Sequence, residues 1–205
     1  DDEYDISGQE KLLSSSAMVI GLGGLGSPVA SYLAASGVGR LVISDFDSVH
    51  ISNLQRQTIF SSENIGENKA IAAKKRLLEI NPQIEIVSLS KLSSTEELQE
   101  WIGNVDIVAD CTDNLGARLL INDICFLKKT MLVSGAAIKM EGQLIVIDPS
   151  NIDAPCYRCL YNTEEEIESA SCSESGILGP IVGTIGCLQA TEILKTLLGI
   201  GSSSV

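Results

Sequence analysis

The chain has 205 residues and a formal net charge of −13, from 14 basic and 27 acidic side chains. A surface of that sign repels phosphate backbones and anionic lipid headgroups, which excludes nucleic acid and membrane surfaces as partners. One histidine, His50, rules out paired-histidine metal sites such as H-E-x-x-H, and the length suits a single α/β domain.

The opening residues DDEYD have neither the basic nor the apolar region of a signal peptide. The longest weakly polar stretch, Ile177–Thr191, falls short of the roughly 20 residues a membrane span needs. A soluble, cytoplasmic protein is expected.

Along the chain, strand and helix patterns alternate. The apolar run Ala17–Gly21 enters a glycine cluster, and Gly24–Ser36 reads as a helix of small residues. Arg40–Asp45 is a second strand ending in an acid. From Glu67 to Ile80, Ala70, Ala73, Leu77 and Ile80 keep helical spacing until Asn81-Pro82 stops it. Ile84–Leu89 and Val105–Asp110 read as strands, with a capped helix over Ser94–Trp101 between them. A helix over Asn114–Leu127, strands at Met131–Ser134 and Gln143–Asp148, and a helix over Leu178–Leu198 complete the order. This alternation predicts a Rossmann-like, doubly wound, mostly parallel sheet with helices on both faces, over residues 1–205 as one domain. Residues 149–176 interrupt it: they are polar, aperiodic and hold three of the six cysteines, as a long crossover loop with a function would.

Four clusters and one lone cysteine bear on chemistry. Gly21, Gly23, Gly24 and Gly26 follow a strand and open a helix, the arrangement that lets backbone N–H groups approach phosphate. Asp45, nineteen residues past Gly26, stands where an acid accepts ribose hydroxyls. The glycine loop by itself does not separate NAD from ATP. Next, Ser52-Asn53-Leu54-Gln55-Arg56-Gln57 and Lys69 offer cations to a polyphosphate in an otherwise acidic chain, although Lys69 alone reads equally as a solvated surface lysine. Cys111-Thr112-Asp113-Asn114 ends the fourth strand, where Asp113 suits either Mg²⁺ held against phosphate or a helix cap. Cys156 and Cys159 form one C-x-x-C, which is half a zinc site, a redox pair or two incidental thiols. Cys172 lies on the polar loop as a nucleophile would, but its neighbours Glu168 and Glu174 oppose thiolate formation. Cys111, Cys125 and Cys187 read as packing residues.

The ordered motifs GLGGLGS, SDFDSVHISNLQRQ, IGENKA, DCTDN, SGAAIKMEGQ, CYRCL and GCLQATEILK run over roughly Gly8 to Gly199. In this order they resemble the ThiF/MoeB/HesA adenylating enzymes, relatives of the ubiquitin-activating enzymes. The resemblance implies an adenylyltransferase that binds Mg·ATP and adenylates the C-terminal glycine of a ubiquitin-like sulfur carrier of ThiS or MoaD type. Pyrophosphate is released, and the pathway is thiamine-thiazole or molybdopterin biosynthesis. By motif position it implies an ATP site of Gly21, Gly23, Gly24, Gly26, Asp45, Asp47, Ser52, Asn53, Arg56, Gln57, Lys69, Asp113 and Asn114, with Asp113 on Mg²⁺. It also implies a part for Cys172 in sulfur transfer, half of a Zn²⁺ site at Cys156 and Cys159, and a homodimer. The family pattern further includes an R-Y-x-R-Q segment ahead of Asp1, whose arginine reaches the neighbouring subunit's ATP site. It also places closing strands and a second C-x-x-C beyond Val205. Two rival readings are an NAD-dependent oxidoreductase, for which His50 is the only histidine acid or base, and a catalytically silent nucleotide-binding scaffold.

Overall fold

A computed structural model describes residues 6–92, 94–151, 155–160 and 177–201. The chain opens with helix α1 (Ile6–Ser14), strand β1 (Ser16–Ile20), α2 (Gly26–Ala35) and β2 (Arg40–Ser44). Two short 3₁₀ turns precede α3 (Lys69–Ile80), followed by β3 (Glu85–Leu89), α4 (Thr95–Gly103), β4 (Ile107–Asp110) and α5 (Leu115–Lys128). Strands β5 (Met131–Ile138) and β6 (Glu141–Ile147), the one-turn α6 (Tyr157–Leu160) and the long α7 (Gly179–Leu198) complete it.

The six strands form one sheet in the order β3-β2-β1-β4-β5-β6. All neighbours are parallel except β5 and β6, which form an antiparallel hairpin. The predicted doubly wound, mostly parallel sheet is therefore present, and its order reverses between β1 and β4. Period-two alternation divides the core. Ala17, Val19, Leu41, Ile43, Ile107, Ala109 and Val133 face one apolar layer, under α2, α3 and α7. Met18, Val42, Val108, Leu132 and Ile147 face the other, under α4 and α5. Strands buried on both faces explain the continuous apolar runs that marked them in the sequence.

Helix ends follow local chemistry. Asn68, Ser94 and Asn114 cap α3, α4 and α5 by accepting the N–H of Ile71, Glu97 and Ala117. Helix α7 ends at Gly199 in the left-handed conformation. By length and composition α7 could cross a membrane. It packs instead on α2, β5 and β6 and buries Gln189 and Glu192, as a core helix does.

The structure departs from the sequence reading in three places. Helix α1 has no apolar repeat; it buries Gly8 and Leu12, and Lys11 Nζ donates to Leu198 O at 3.1 Å, a tertiary contact that no local pattern reveals. Strand β5 runs on through Gly135 to Ile138, beyond the expected end at Ser134. Cys187 is half-buried in a groove between α2 and α7 rather than in the core.

Candidate functional site

A cleft of about 790 Å³ opens over the carboxyl ends of β1, β2 and β4, at the point where strand order reverses. Open α/β sheets bind ligands at such a point, because neighbouring loops diverge there. Gly21, at φ +90°, lies against the first residue after β4: a Cβ on it would stand 2.8 Å from Cys111 O. A Cβ on Gly24 would stand 2.6 Å from Val182 of α7. The glycine loop is thus wedged between β4 and α7, with its backbone toward the cleft.

Of the expected ATP-site residues, the cleft gathers Gly21, Gly23, Gly24, Asp45, Asp47, Arg56, Gln57, Lys69, Asp113 and Asn114. Gly26, Ser52 and Asn53 are not among its lining. Gly26 serves close packing, since a Cβ there would meet Gly21 O at 1.9 Å. Ser52 offers its carbonyl to Arg56 Nη1 at 3.2 Å, and Asn53 Oδ1 accepts the His50 N–H at 3.1 Å to close the turn. They shape the segment that carries Arg56. Cys172 lies outside the described residues.

On one wall, Asp45 accepts the amides of Leu22 at 2.8 Å and Asp47 at 2.9 Å, which ties the tip of β2 to the glycine loop. Burial pushes its carboxyl above the usual range, against the pull of those amides and of Lys69. Lys69 opens α3 and is only 5% exposed. Its ammonium stands 3.2 Å from Asp47 Oδ2, whose own side chain is largely in solvent. A buried ammonium at a cleft wall is not the solvated lysine that its sequence context allowed. Gln57 Oε1 and Ser44 Oγ, both at the cleft, are buried without a partner among the described residues. Orphaned polar atoms of this kind are rare in a core and common where a ligand completes the network.

The opposite wall is the loop after β4. Asp110, fully buried, accepts Thr112 N at 3.0 Å and Thr112 Oγ1 at 2.7 Å on one oxygen, and Ser134 Oγ at 2.8 Å on the other. Arg118, one turn into α5, donates to Thr112 O from Nη2 at 2.7 Å and Nε at 3.2 Å. Asn114 is engaged as the α5 cap. Asp113 alone in this loop has a side chain with no partner among the described residues, and it is exposed to the cleft. The cap role therefore falls to Asn114, and Asp113 presents its carboxylate to the cleft.

A single free carboxylate fits Mg²⁺ in its usual role with nucleotides, where one or two protein oxygens suffice and phosphate and water fill the remaining positions. Cys156 and Cys159 Sγ stand 3.5 Å apart. Two thiolates on a tetrahedral zinc stand about 3.8 Å apart, given Zn–S bonds of about 2.3 Å, so the pair fits half a zinc site. Among the described residues, no group of three or more His, Cys, Asp or Glu could complete it.

Sequence reasoning missed Asp110, Arg118, Tyr157 and Gln189, which hold this wall in place. A signal for Arg118 existed: a cation four residues after the cap, in the apolar first half of the helix. The other three reveal themselves only through contacts between distant segments.

A model of the ThiF family matches residues 2–205. The chain belongs to the ThiF family. It is 44% identical over 199 residues to the sulfur carrier protein ThiS adenylyltransferase of Escherichia coli K12, covering 97% of this chain and 78% of that protein. It is 46% identical over 198 residues to the molybdopterin-synthase adenylyltransferase of the same organism, covering 97% and 79%. To the adenylyltransferase and sulfurtransferase MOCS3 of Dictyostelium discoideum it is 45% identical, but spans only 46% of that longer protein. The same fold occurs in E. coli MccB, crystallised with AMPCPP and SeMet MccA, at a TM-score of 0.80 and 22% identity. The chain spans 58% of MccB. The glycine loop, Arg56, Lys69 and Asp113 line one cleft at the strand-order reversal of this ThiF-family fold.

Proposed function

We propose that the protein uses ATP to adenylate the C-terminal glycine carboxylate of a ubiquitin-like sulfur carrier. In this reaction a carboxylate oxygen attacks the α-phosphorus, the bond to the α–β bridging oxygen breaks, and pyrophosphate leaves with the electron pair. An acyl-adenylate remains. Attack of one anion on another is slow chiefly for want of charge neutralisation and alignment. The observation that carries the reading is the cleft itself: Arg56 and Lys69 face it with the glycine loop, and Asp113 is presented free from a loop fixed at its other polar groups.

In the reading, the glycine-loop amides and the two cations hold the polyphosphate, and Asp45 accepts ribose hydroxyls with lone pairs left by its two amide bonds. Mg²⁺, held by Asp113 and phosphate oxygens, supplies further charge neutralisation when bound. No general base is needed, because the attacking carboxylate is ionised at neutral pH. His50, exposed and not among the residues lining the cleft, is consistent with that. The acyl-adenylate is then open to a thiolate. In the simplest form Cys172 Sγ attacks the acyl carbon and AMP leaves, giving a thioester. Family membership supports a homodimer. The near-equal identity to a ThiS and a molybdopterin-synthase adenylyltransferase supports the carrier class rather than one carrier.

ATP–pyrophosphate exchange, with and without a ubiquitin-like carrier ending in Gly-Gly, tests the reading. Exchange that requires the carrier is expected. Tight Mg·ATP binding with no exchange for either carrier type would favour the silent scaffold, and NADH binding in place of ATP would favour the oxidoreductase.

A further inference from the structure

The first of the two residues between the cysteines of the C-x-x-C is tied to the cleft. Tyr157 is buried against α5 and fixed there at its backbone, its N–H donating to Asn122 Oδ1 at 3.0 Å. Its hydroxyl receives Arg118 Nη1 at 3.3 Å. The same guanidinium makes the two bonds to Thr112 O, on the residue preceding Asp113. Packing alone does not call for this arrangement. A phenylalanine would fill the space of the tyrosine ring, and the charge of Arg118 offsets the burial of Asp110 whether or not a hydroxyl holds the guanidinium. What the two polar groups add is direction: the planar fork of arginine, held at its outer edge by Tyr157, can meet the Thr112 carbonyl in only one orientation.

We propose that Tyr157 is a positioning residue for the metal-nucleotide site, acting through Arg118 on Thr112 to set the place of the Asp113 carboxylate. The proposal rests on the adenylation reading for its kinetic test, but its physical content is narrower. Thr112 N and Oγ1 are bonded to Asp110 and Asn114 is bonded into α5, so the Thr112 carbonyl is the remaining main-chain anchor before Asp113. If the Arg118 fork tilts, Asp113 shifts while its neighbours stay fixed. The effect falls on Mg²⁺ use and not on the cations Arg56 and Lys69 across the cleft, which share no hydrogen bond with this chain of contacts.

Tyr157→Phe removes only the hydroxyl. In carrier-dependent exchange at saturating ATP, the variant is expected to need about three- to tenfold more free Mg²⁺ for half-maximal rate, the range one hydrogen bond spans. At saturating Mg²⁺ its kcat should stay within about twofold of the parent. Arg118→Lys should raise the Mg²⁺ requirement as well, and adding Tyr157→Phe to it should add little, because the tyrosine acts through the arginine. A uniform fall in kcat with unchanged Mg²⁺ dependence, or additive effects in the double variant, would overturn the proposal. Calorimetric titration of ATP into the same proteins over a series of Mg²⁺ concentrations gives a readout that needs no carrier or turnover. There Tyr157→Phe should weaken Mg·ATP binding at low Mg²⁺ and converge with the parent at high Mg²⁺. If the parent shows no exchange, the adenylation reading fails while this binding experiment still decides the role of Tyr157.

Discussion

The side-chain amide of Gln189 occupies the space over Gly135: a Cβ there would lie 2.3 Å from Gln189 Oε1. The amide cannot simply swing away. It is fully buried in α7, and its Nε2 donates to Asp110 O at 2.9 Å and to Val133 O at 3.2 Å, bridging the ends of β4 and β5. Gly135 therefore exists for close approach, and one glutamine links the last helix to both strands behind the cleft.

Gly135→Ala is expected to destabilise the fold by about 1–3 kcal/mol, the usual range for overpacking a full core. Urea unfolding measures it. An unchanged midpoint would mean that the Gln189 bridge is looser than its hydrogen bonds indicate.

The cleft carboxylate should behave in the opposite way. Asp113 has no partner among the described residues, so Asp113→Asn should leave the thermal midpoint unchanged while lowering adenylation by about 100- to 1,000-fold. Lys69→Ala should lower adenylation similarly but also lower the thermal midpoint, because the buried lysine stem leaves a void when it is truncated. Paired melting curves and exchange rates check both. Retained exchange in either variant would remove that residue from the site.

Cys172→Ala should keep exchange at the parent rate and lose any covalent carrier adduct, since the thiol acts after the acyl-adenylate has formed. Intact-mass spectra of both proteins after incubation with carrier and ATP decide this.

The alternation of strands and helices is readable because the central strands are buried on both faces and three helices carry their own caps; Asn68, Ser94 and Asn114 are local signals. The glycine loop, Asp45 and Asp113 are readable because each lies within a few residues of a strand end, whereas Arg56 and Lys69 are candidates by charge alone. What was hidden depends on contacts made across the chain. Strand β5 seemed to stop at Ser134 because Gly135 looks like a break until Gln189, 54 residues later, supplies the reason for it. Asn53, expected at the nucleotide, uses its Oδ1 to close a local turn and is not among the residues lining the cleft. Helix α1 was missed because its fixed point, the carbonyl of Leu198, lies at the other end of the chain.

The thiols should react in a set order. Burial pushes Cys125 up to about 12, and Cys111 is raised further by burial and by Asp110. At Cys156 burial also raises the thiol, but hydrogen bonds from Cys159 outweigh it and hold the group below the usual thiol value. Under limiting iodoacetamide at about pH 8, peptide mapping should find Cys156 modified well before Cys111 and Cys125, since the thiolate is the nucleophile. Early modification of Cys125 would show that α5 opens more readily than its packing implies.

Asp110 gives the fold a pH dependence of predictable sign. Burial pushes its carboxyl above the ordinary value of 3.8, and the charge of Arg118 and the bonds from Thr112 and Ser134 only partly reverse this. Between the ordinary and the raised value the native state holds the proton more tightly than the unfolded chain does. Its contribution to stability is therefore complete below the ordinary value and is lost as pH rises through the raised one. Asp110→Asn cannot titrate, yet an amide keeps an acceptor for Thr112. The stability of the variant relative to the parent should accordingly rise with pH, starting near pH 4 and levelling off above the raised value. Urea unfolding of both proteins at about pH 4.5 and about pH 7.5 measures the difference. A flat or falling difference would mean that Arg118 and the hydroxyl donors stabilise the ionised carboxylate more than burial penalises it. The loop that presents Asp113 would then be anchored on a favourable charge instead of a strained one.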